Sequence, residues 1–286
     1  MDWYPAPAKL NLFLHVLGRR EDGYHLLQTV FRLIDRMDRV GIAVRADGHI
    51  RRVDETPGVG VDTDLCLRAA RLLREIALSR LGPSAANLGA DLGLEKNLPI
   101  GGGLGGGSSD AATILLVLNR KWQLNLSRVE LMEAGLLLGA DVPIFLFGNN
   151  ALGEGVGEHL ATLELPPAWY LVLTPQVSVS TKEIFSSLAL TRDTKRLKLP
   201  PFLPGLGRND LQPVVTSLYP AVGAHLDWLL KHGPARMTGS GSCVFAEFGT
   251  QAEARAVEAS LPEGMRGFVA RGLDQHPLRD WALDFE

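Results

Sequence analysis

Apolar and polar residues alternate with a period of two near the start of the chain, the pattern of extended strands. Residues 9–17 predict a strand whose apolar face carries Leu10, Leu12, Leu14 and Val16. Further extended segments are predicted over residues 26–34, 39–44 and 88–96. A charged turn around Gly23 should separate the strand over residues 9–17 from the segment over residues 26–34.

Apolar residues spaced three and four apart predict helices in the middle of the chain. One helix is expected over residues 64–81. A second helix, over residues 110–122, is apolar nearly all round, which predicts that it is buried. Ser127 and Glu130 form a capping box for a third helix, which should end at Gly139.

The second half of the chain mixes strand and helix patterns without regular βαβ spacing. The predicted elements are strands over residues 170–174 and 243–248 and helices over residues 222–231 and 251–260. Such a mixture indicates the fold class α+β rather than a doubly wound sheet. Because several glycines follow residue 148, we expect an N-terminal domain over residues 1–155 and a C-terminal domain over residues 156–286.

Composition and charge exclude several kinds of function. Of 286 residues, 46 % are apolar and 21 % are charged, and the net charge of −3 leaves no basic surplus for nucleic acid or an anionic membrane. The densest basic run, residues 192–198, is interpreted as a solvated loop. The two cysteines form neither a disulfide framework nor a metal spacing, which favours a reducing cytoplasm. Neither a signal peptide nor a membrane-spanning stretch is predicted.

The densest glycine run, residues 101–107, is broken only by Leu104 and leads directly into the buried second helix. Glycines let the main chain approach a ligand closely, and successive N–H groups can point at it. The first turn of the following helix adds free N–H groups and the positive end of a helix dipole. The run therefore predicts an anion site suited to a triphosphate, ending at Ser108, Ser109 and Asp110.

Three other structures could produce a similar glycine run. A Walker-type P-loop requires lysine directly before Ser or Thr, where this chain has Gly107. Gly101, Gly103 and Gly106 match G-x-G-x-x-G, but the acidic strand end that a dinucleotide fold needs about 20 residues later is missing. A flexible linker would not lead at once into a buried helix.

Residues 99–112 resemble the second motif of the GHMP kinases, a superfamily that includes galactokinases, homoserine kinases and mevalonate kinases. The first motif is matched by residues 7–12 and the third by residues 238–243. Within the superfamily the chain is most similar to the 4-diphosphocytidyl-2-C-methyl-D-erythritol kinase family. Three stretches carry that similarity: residues 6–29, 139–143 and 208–211.

The resemblance implies a two-domain fold, with an N-terminal α+β domain, a C-terminal ferredoxin-like domain and an active site in the cleft between them. It implies transfer of the ATP γ-phosphoryl group to the 2-hydroxyl of 4-diphosphocytidyl-2-C-methyl-D-erythritol, in the non-mevalonate isoprenoid pathway. ATP and Mg²⁺ are the implied cofactors, with no metal site made of protein side chains. The protein is expected to be a cytoplasmic monomer or homodimer that acts on small molecules.

The resemblance also implies roles for single residues. Asp141 is the expected catalytic base, and Lys9 is the cation that helps to orient the acceptor hydroxyl. The residues expected to bind ATP are Lys96, Pro99, Gly101, Gly102, Gly103, Leu104, Gly105, Gly106, Gly107, Ser108 and Ser109. The residues expected to bind the acceptor are Asn11, Tyr24, His25, Thr181, Phe185, Thr238, Gly239 and Ser240.

The sequence by itself also allows plainer interpretations of these residues. Asp141 fits a helix cap or a turn, and Phe185 fits a core aromatic residue. The resemblance instead implies that Tyr24 and Phe185 clamp a cytosine ring from opposite domains, with His25 reading its edge. Related kinases carry Asn where this chain has Asp64, so the adenine contact at that point is left open.

Two other functions are considered. The chain could be a GHMP kinase for a mevalonate-type or homoserine-type acceptor, although the residues Tyr24, His25 and Phe185 favour a cytidyl group. It could also be a non-catalytic nucleotide-binding member of the fold, although the presence of both Lys9 and Asp141 favours an enzyme.

Overall fold

A computed structural model of the chain describes residues 1–54, 60, 63–199 and 205–284. In these ranges it contains two sheets with helices packed against them, which confirms the α+β class. The strands are β1 (Asp2–Arg19), β2 (His25–Arg45), β3 (Ile50–Arg52), β4 (Gly89–Glu95), β5 (Ala151–Gly155), β6 (His159–Thr162), β7 (Trp169–Leu173), β8 (Ala235–Met237), β9 (Val244–Phe248) and β10 (Gly267–Arg271). The helices are α1 (Leu65–Leu81), α2 (Gly106–Lys121), α3 (Arg128–Leu138), α4 (Val142–Phe147), α5 (Thr181–Ser186), α6 (Gln212–Leu218), α7 (Pro220–Leu229) and α8 (Gln251–Glu258).

The first sheet is built on the antiparallel pair β1 and β2, with strand order β3-β4-β2-β5-β6 and β1 paired to β2. The two extended segments predicted over residues 26–34 and 39–44 are one strand, β2. The register slips where Ala8 pairs with Ile34 and Pro7 with Met37. Asp35 and Arg36, which interrupt the apolar sequence pattern, thus lie in an exposed bulge within one continuous strand.

Strand β1 is buried on both faces, which the alternating pattern did not predict. Leu10 and Leu12 pack in a hydrophobic cluster that contains residues of both sheets. Leu14 and Val16 pack in the cluster beneath the second sheet, which we call the second core. The polar residues of the opposite face, which include Lys9, are equally buried. This burial places a lysine inside the molecule, where it must have a partner.

Helix α2 lies at the centre of the hydrophobic cluster beneath the first sheet, which we call the first core. Every residue of the helix from 109 to 119 is buried, as predicted. It begins at Gly106 rather than Asp110, because Gly105 is the N-cap residue and the glycine loop turns directly into the helix. The capping box of Ser127 and Glu130 at the start of α3 is confirmed. The loop and the helix that follows it therefore form one continuous unit.

The second sheet is antiparallel, with strand order β10-β7-β9-β8. The predicted elements β7, β9, α7 and α8 are present within two residues of their expected ends. Strand β6 lies beyond the expected domain limit at residue 155, and it pairs with β5 in the first sheet. The C-terminal segment, residues 272–284, returns to the first core, where Leu278 and Ala282 are buried.

Candidate active site

Two cavities meet where the glycine loop approaches the second sheet. The large cavity has a volume of about 700 Å³, and the glycine-loop cavity has a volume of about 350 Å³. Four residues line both cavities: Ser108, Asp141, Thr181 and Ser240. These four residues therefore mark the passage between the two spaces.

The glycine loop has the backbone that the sequence predicted for an anion cradle. Gly101, Gly103 and Gly105 have φ angles of +72°, +74° and +72°, a region that favours glycine. The first N–H group that bonds within α2 is that of Ser109, which donates to the carbonyl oxygen of Gly105 at 2.8 Å. The N–H groups of the residues between them have no acceptor within the helix and lie along the glycine-loop cavity.

Main-chain hydrogen bonds hold the loop in place. The N–H of Lys9 donates to the carbonyl oxygen of Leu104 at 3.0 Å, and the N–H of Cys243 donates to that of Gly102 at 3.1 Å. A β-carbon added at Gly103 would lie 2.3 Å from the carbonyl oxygen of Thr238. The turn at residues 238–242 thus packs against the loop.

Lys9 and Asp141 meet at the passage between the cavities. Nζ of Lys9 lies 3.3 Å from Oδ2 of Asp141. Asp141 is the N-cap residue of α4, but its side chain makes no capping hydrogen bond. Its carboxylate is therefore available to the cavity, with its side chain 40 % exposed beside a lysine that is 2 % exposed.

Hydrogen bonds that involve Asn11 and Thr238 hold Lys9 in place. Nζ of Lys9 donates to Oδ1 of Asn11 at 2.6 Å, and Nδ2 of Asn11 donates to Oγ1 of Thr29 at 2.9 Å. The main-chain N–H of Asn11 donates to Oγ1 of Thr238 at 2.9 Å. Asn11 lines the large cavity with its amide already engaged, whereas Thr238 is fully buried and lines neither cavity. Both side chains therefore position Lys9 and the loop.

Most residues expected to bind ATP line the glycine-loop cavity, but Ser109 does not. The residues that line it are Lys96, Pro99, Gly101, Gly102, Gly103, Leu104, Gly105, Gly106, Gly107 and Ser108. Ser109 is fully buried, and its hydroxyl has no hydrogen-bond partner among the described residues. Of the two serines, only Ser108 lines the cavities.

Lys96 is held between two buried carboxylates at the wall of the glycine-loop cavity. Its Nζ lies 3.1 Å from Oδ2 of Asp110 and also pairs with Asp38. Burial by itself lowers the pKa of Lys96, but attraction from Asp110 and Asp38 outweighs it and raises the pKa. Burial raises the pKa of Asp110 to about 7. The lysine is therefore charged and fixed in place before any ligand arrives.

Asp64, at the far end of the same cavity, is fully engaged. Its Oδ1 accepts from the N–H groups of Cys66 at 2.7 Å and Leu67 at 3.2 Å, which caps α1. Its Oδ2 accepts from Nη1 of Arg52 at 2.7 Å. A carboxylate with these partners has no donor to offer an adenine ring.

The large cavity brings together residues from distant parts of the sequence. Tyr24 is 63 % exposed at its rim, and the rings of His25 and Phe185 lie 5.0 Å apart between centroids. Thr181 and Ser240 are linked through their hydroxyl oxygens at 2.7 Å. Gly239 lies on the same wall. Phe185 lines this cavity and also packs against the second core.

Arg192 lines neither cavity but contacts His25, a role that the sequence pattern did not predict. Its Nε donates to Nε2 of His25 at 3.0 Å, although the basic run that contains it was interpreted as a solvated loop. Burial, with the charges of Arg192 and Arg19, lowers the pKa of His25. The two residues are 167 positions apart, and no local pattern links them.

Comparison with known proteins matches both halves of the chain to one family. Residues 64–149 match the family described as GHMP kinases N terminal domain, and residues 196–267 match the one described as GHMP kinases C terminal. A protein of Thiobacillus denitrificans named 4-diphosphocytidyl-2-C-methyl-D-erythritol kinase is 59 % identical over 97 % of this chain and 98 % of its own length.

Solved structures agree with this assignment. A crystal structure of 4-(cytidine 5'-diphospho)-2C-methyl-D-erythritol kinase superposes with a TM-score of 0.77 at 31 % identity, covering 95 % of this chain and 99 % of that one. Homoserine kinase from Cytophaga hutchinsonii has a TM-score of 0.71 at 16 % identity, covering 96 % of each chain, and shares the fold. Among the described residues, no helix is long and apolar enough to cross a membrane.

Proposed function

Since the chain belongs to the GHMP kinase family, we propose that this ATP-dependent kinase phosphorylates the 2-hydroxyl of 4-diphosphocytidyl-2-C-methyl-D-erythritol. The observation that carries the proposal is the meeting of two cavities at Asp141. One cavity is walled by a glycine loop and a helix N-terminus, which suits a triphosphate. The other is larger and edged by aromatic rings, which suits a nucleoside-linked alcohol.

The residues at the passage fit the needs of phosphoryl transfer. Such reactions depend mainly on positioning and charge stabilisation, with little covalent work for the protein. The free N–H groups at the start of α2 bind the phosphates, and the carboxylate of Asp141 accepts the proton of the acceptor hydroxyl. The ammonium of Lys9, fixed by Asn11, orients that carboxylate and attracts the phosphoryl oxygens.

Mg²⁺ is part of the proposal and would be held mainly by the substrate. The described residues contain no group of three or more His, Cys, Asp or Glu side chains that could hold a metal ion. Mg²⁺ commonly binds phosphate oxygens and water with one or two protein ligands, and the hydroxyl of Ser108 and the carboxylate of Asp141 line the passage. When bound, the ion neutralises charge on the β- and γ-phosphates.

The aromatic end of the large cavity supports a cytidyl acceptor. Tyr24 is exposed there, and the ring of Phe185 lies beside that of His25, with their centroids 5.0 Å apart. Stacking of a base on an aromatic side chain contributes about 1–3 kcal/mol. Residues beside the ring, such as His25, can then read its hydrogen-bonding edge.

The test is ATP turnover with a panel of acceptor alcohols. We expect Mg²⁺-dependent ADP release with the cytidyl-linked methylerythritol and little with mevalonate, homoserine or galactose. Turnover with one of those three alone would show a different GHMP kinase. ATP binding without turnover on any acceptor would favour a non-catalytic member of the fold.

A further inference from the structure

Arg192 joins two walls of the large cavity through one guanidinium group. Its Nε donates to Nε2 of His25 at 3.0 Å, at the start of β2. Its Nη2 donates to the carbonyl oxygens of Phe185 at 3.0 Å and Ser187 at 2.7 Å, at the end of α5. Its Nη1 donates to the carbonyl oxygen of Leu190 at 3.1 Å. The side chain therefore ties His25 to the helix that carries Thr181 and Phe185.

The bond to His25 decides where the imidazole proton lies. A guanidinium group has only donors and stays charged, so Nε2 must offer its lone pair. A neutral histidine that accepts at Nε2 carries its proton on Nδ1. The described part of the chain makes no hydrogen bond to Nδ1, and His25 lines the large cavity. The Nδ1–H group is thus a donor left over for a ligand.

The charges around the ring favour its neutral form. Burial lowers the pKa of His25, and Arg192 and Arg19 lower it further. Asp22 and Lys182 are the other charged side chains near this part of the cavity wall. At neutral pH the ring is therefore uncharged, and its single proton has a defined position.

We propose that Arg192 is a positioning residue that fixes His25 as the Nδ1–H tautomer and holds it beside Phe185, so that the acceptor site prefers cytosine to uracil. The base preference rests on the proposed function. Cytosine has a lone pair at N3, which can accept a hydrogen bond from the Nδ1–H group of His25. Uracil carries a proton at N3, so two donors would face each other. A lysine cannot replace Arg192, because a single ammonium lacks the planar fork that reaches both His25 and the end of α5.

The direct test is ¹⁵N NMR of the histidine side chains in the full chain, with His25 assigned from a His25→Gln variant. In the wild type, His25 should carry its proton on Nδ1 from pH 7 to pH 8. In Arg192→Met this preference should be lost, and in Arg192→Lys it should be weakened. A wild-type His25 protonated on Nε2, or an unchanged tautomer in Arg192→Met, would overturn the proposal.

Kinetics give the second measurement, with Arg196→Met as the matched control because it removes an exposed arginine from the same run. At pH 8, Arg192→Met should raise KM for the cytidyl acceptor about tenfold and reduce the preference for cytidyl over uridyl acceptors, with KM for ATP unchanged. The difference from wild type should narrow at pH 6, because the imidazolium form carries protons on both nitrogens. A deficit independent of pH, or one shared by Arg196→Met, contradicts the tautomer role.

The two measurements separate this proposal from the proposed function. The NMR result needs no acceptor, so a wild type that phosphorylates no cytidyl compound refutes the function while the tautomer is still measured. If Arg192→Met fails to fold, the Arg192→Lys variant keeps the positive charge and the apolar stem. Both the NMR and the kinetic measurements can then be made on Arg192→Lys.

Discussion

Asp141 occupies the N-cap position of α4 without capping the helix. An aspartate at an N-cap position usually accepts a hydrogen bond from a main-chain N–H group, and the sequence alone suggests that role for Asp141. Here the carboxylate faces Lys9 at 3.3 Å instead. Asp141 thus has a carboxylate without a capping hydrogen bond, next to a lysine that Asn11 holds in place. This arrangement suits the proton acceptor that we propose.

We expect Asp141→Asn to reduce kcat by about 10²–10⁴-fold, the usual contribution of a general base. ATP affinity, measured by calorimetry, should stay near wild type because the glycine loop is untouched. Asp280→Asn, at an exposed aspartate far from the cleft, is the control and should leave kcat unchanged. A near-normal kcat in Asp141→Asn would mean that the residue only shapes the turn.

The two aromatic residues of the large cavity should respond differently to truncation. Tyr24 is exposed, so Tyr24→Ala should raise KM for the cytidyl acceptor about tenfold, which corresponds to about 1.4 kcal/mol, with the melting temperature unchanged. Phe185 also packs on the second core, so Phe185→Ala should raise KM and lower the melting temperature. A Phe185→Ala variant with lower stability and normal acceptor KM would leave Phe185 as a core residue only.

At the scale of elements, the start of α2 separates glycines that shape the protein from glycines that leave room for a ligand. A β-carbon at Gly105 would lie 2.9 Å from the ring of Phe145 and 3.1 Å from Cε of Lys9, at a φ of +72°. A β-carbon at Gly107 would meet only Leu65, at 3.5 Å, and Gly107 lies exposed on the cavity wall in ordinary helical backbone. Gly105 is therefore required by the fold, whereas the space beside Gly107 is open to a ligand.

We therefore expect Gly107→Val to raise KM for ATP at least tenfold while the melting temperature stays near wild type, because the new side chain fills cavity space. Gly105→Ala should instead lower the melting temperature, since both its backbone and its neighbours oppose a side chain. Calorimetric unfolding and ATP titration on both variants provide the test. Normal ATP affinity in Gly107→Val would argue against phosphate binding at this helix start.

At the scale of the whole molecule, the C-terminal segment over residues 272–284 links the second sheet back to the first core. The N–H of His276 donates to the carbonyl oxygen of Gly148 at 2.8 Å, and Arg128 donates to several carbonyl oxygens of the segment and of α4. We propose that the domain limit lies between Thr162 and Trp169, with this segment packed on the N-terminal domain.

Burial, with a smaller contribution from Arg128, lowers the pKa of His276 to about 3. Its Nδ1 accepts from the N–H of Leu278 at 3.0 Å, which the charged form could not do. The stability that comes from this neutral ring is present above the unfolded pKa of about 6.5 and is lost as pH falls toward 3. The expected loss is about 1.4 kcal/mol per pH unit below 6.5.

Urea unfolding of wild type and His276→Asn between pH 5 and pH 8 measures this effect, since the asparagine oxygen can accept the same bond without titrating. The stability of wild type relative to the variant should fall as pH decreases. His159→Asn, at an exposed histidine, is the control and should show no such trend. Parallel pH profiles for wild type and His276→Asn would mean that this ring is not neutral and buried.

Local sequence patterns predicted those helices and strands that are specified by residues close together in the chain. Helix α2, the capping box of α3 and strands β7 and β9 each carry enough periodicity or turn chemistry in one short stretch. Short elements such as β3, β8 and α5 were missed, because three to six residues contain too little pattern to distinguish them from loops. Strand β2 was predicted as two separate segments because the polar residues at its bulge interrupt the apolar pattern.

The sequence by itself determined that this protein has a glycine cradle at a helix start, and the family resemblance in its motifs marked Lys9 and Asp141. These features depend on residues close together in the chain, where backbone chemistry acts directly. Only the tertiary structure decided that Thr238 and Ser109 are buried, and that Arg192 donates a hydrogen bond to His25. These features depend on which residues from distant parts of the chain come into contact, and that is decided by packing of the elements against one another.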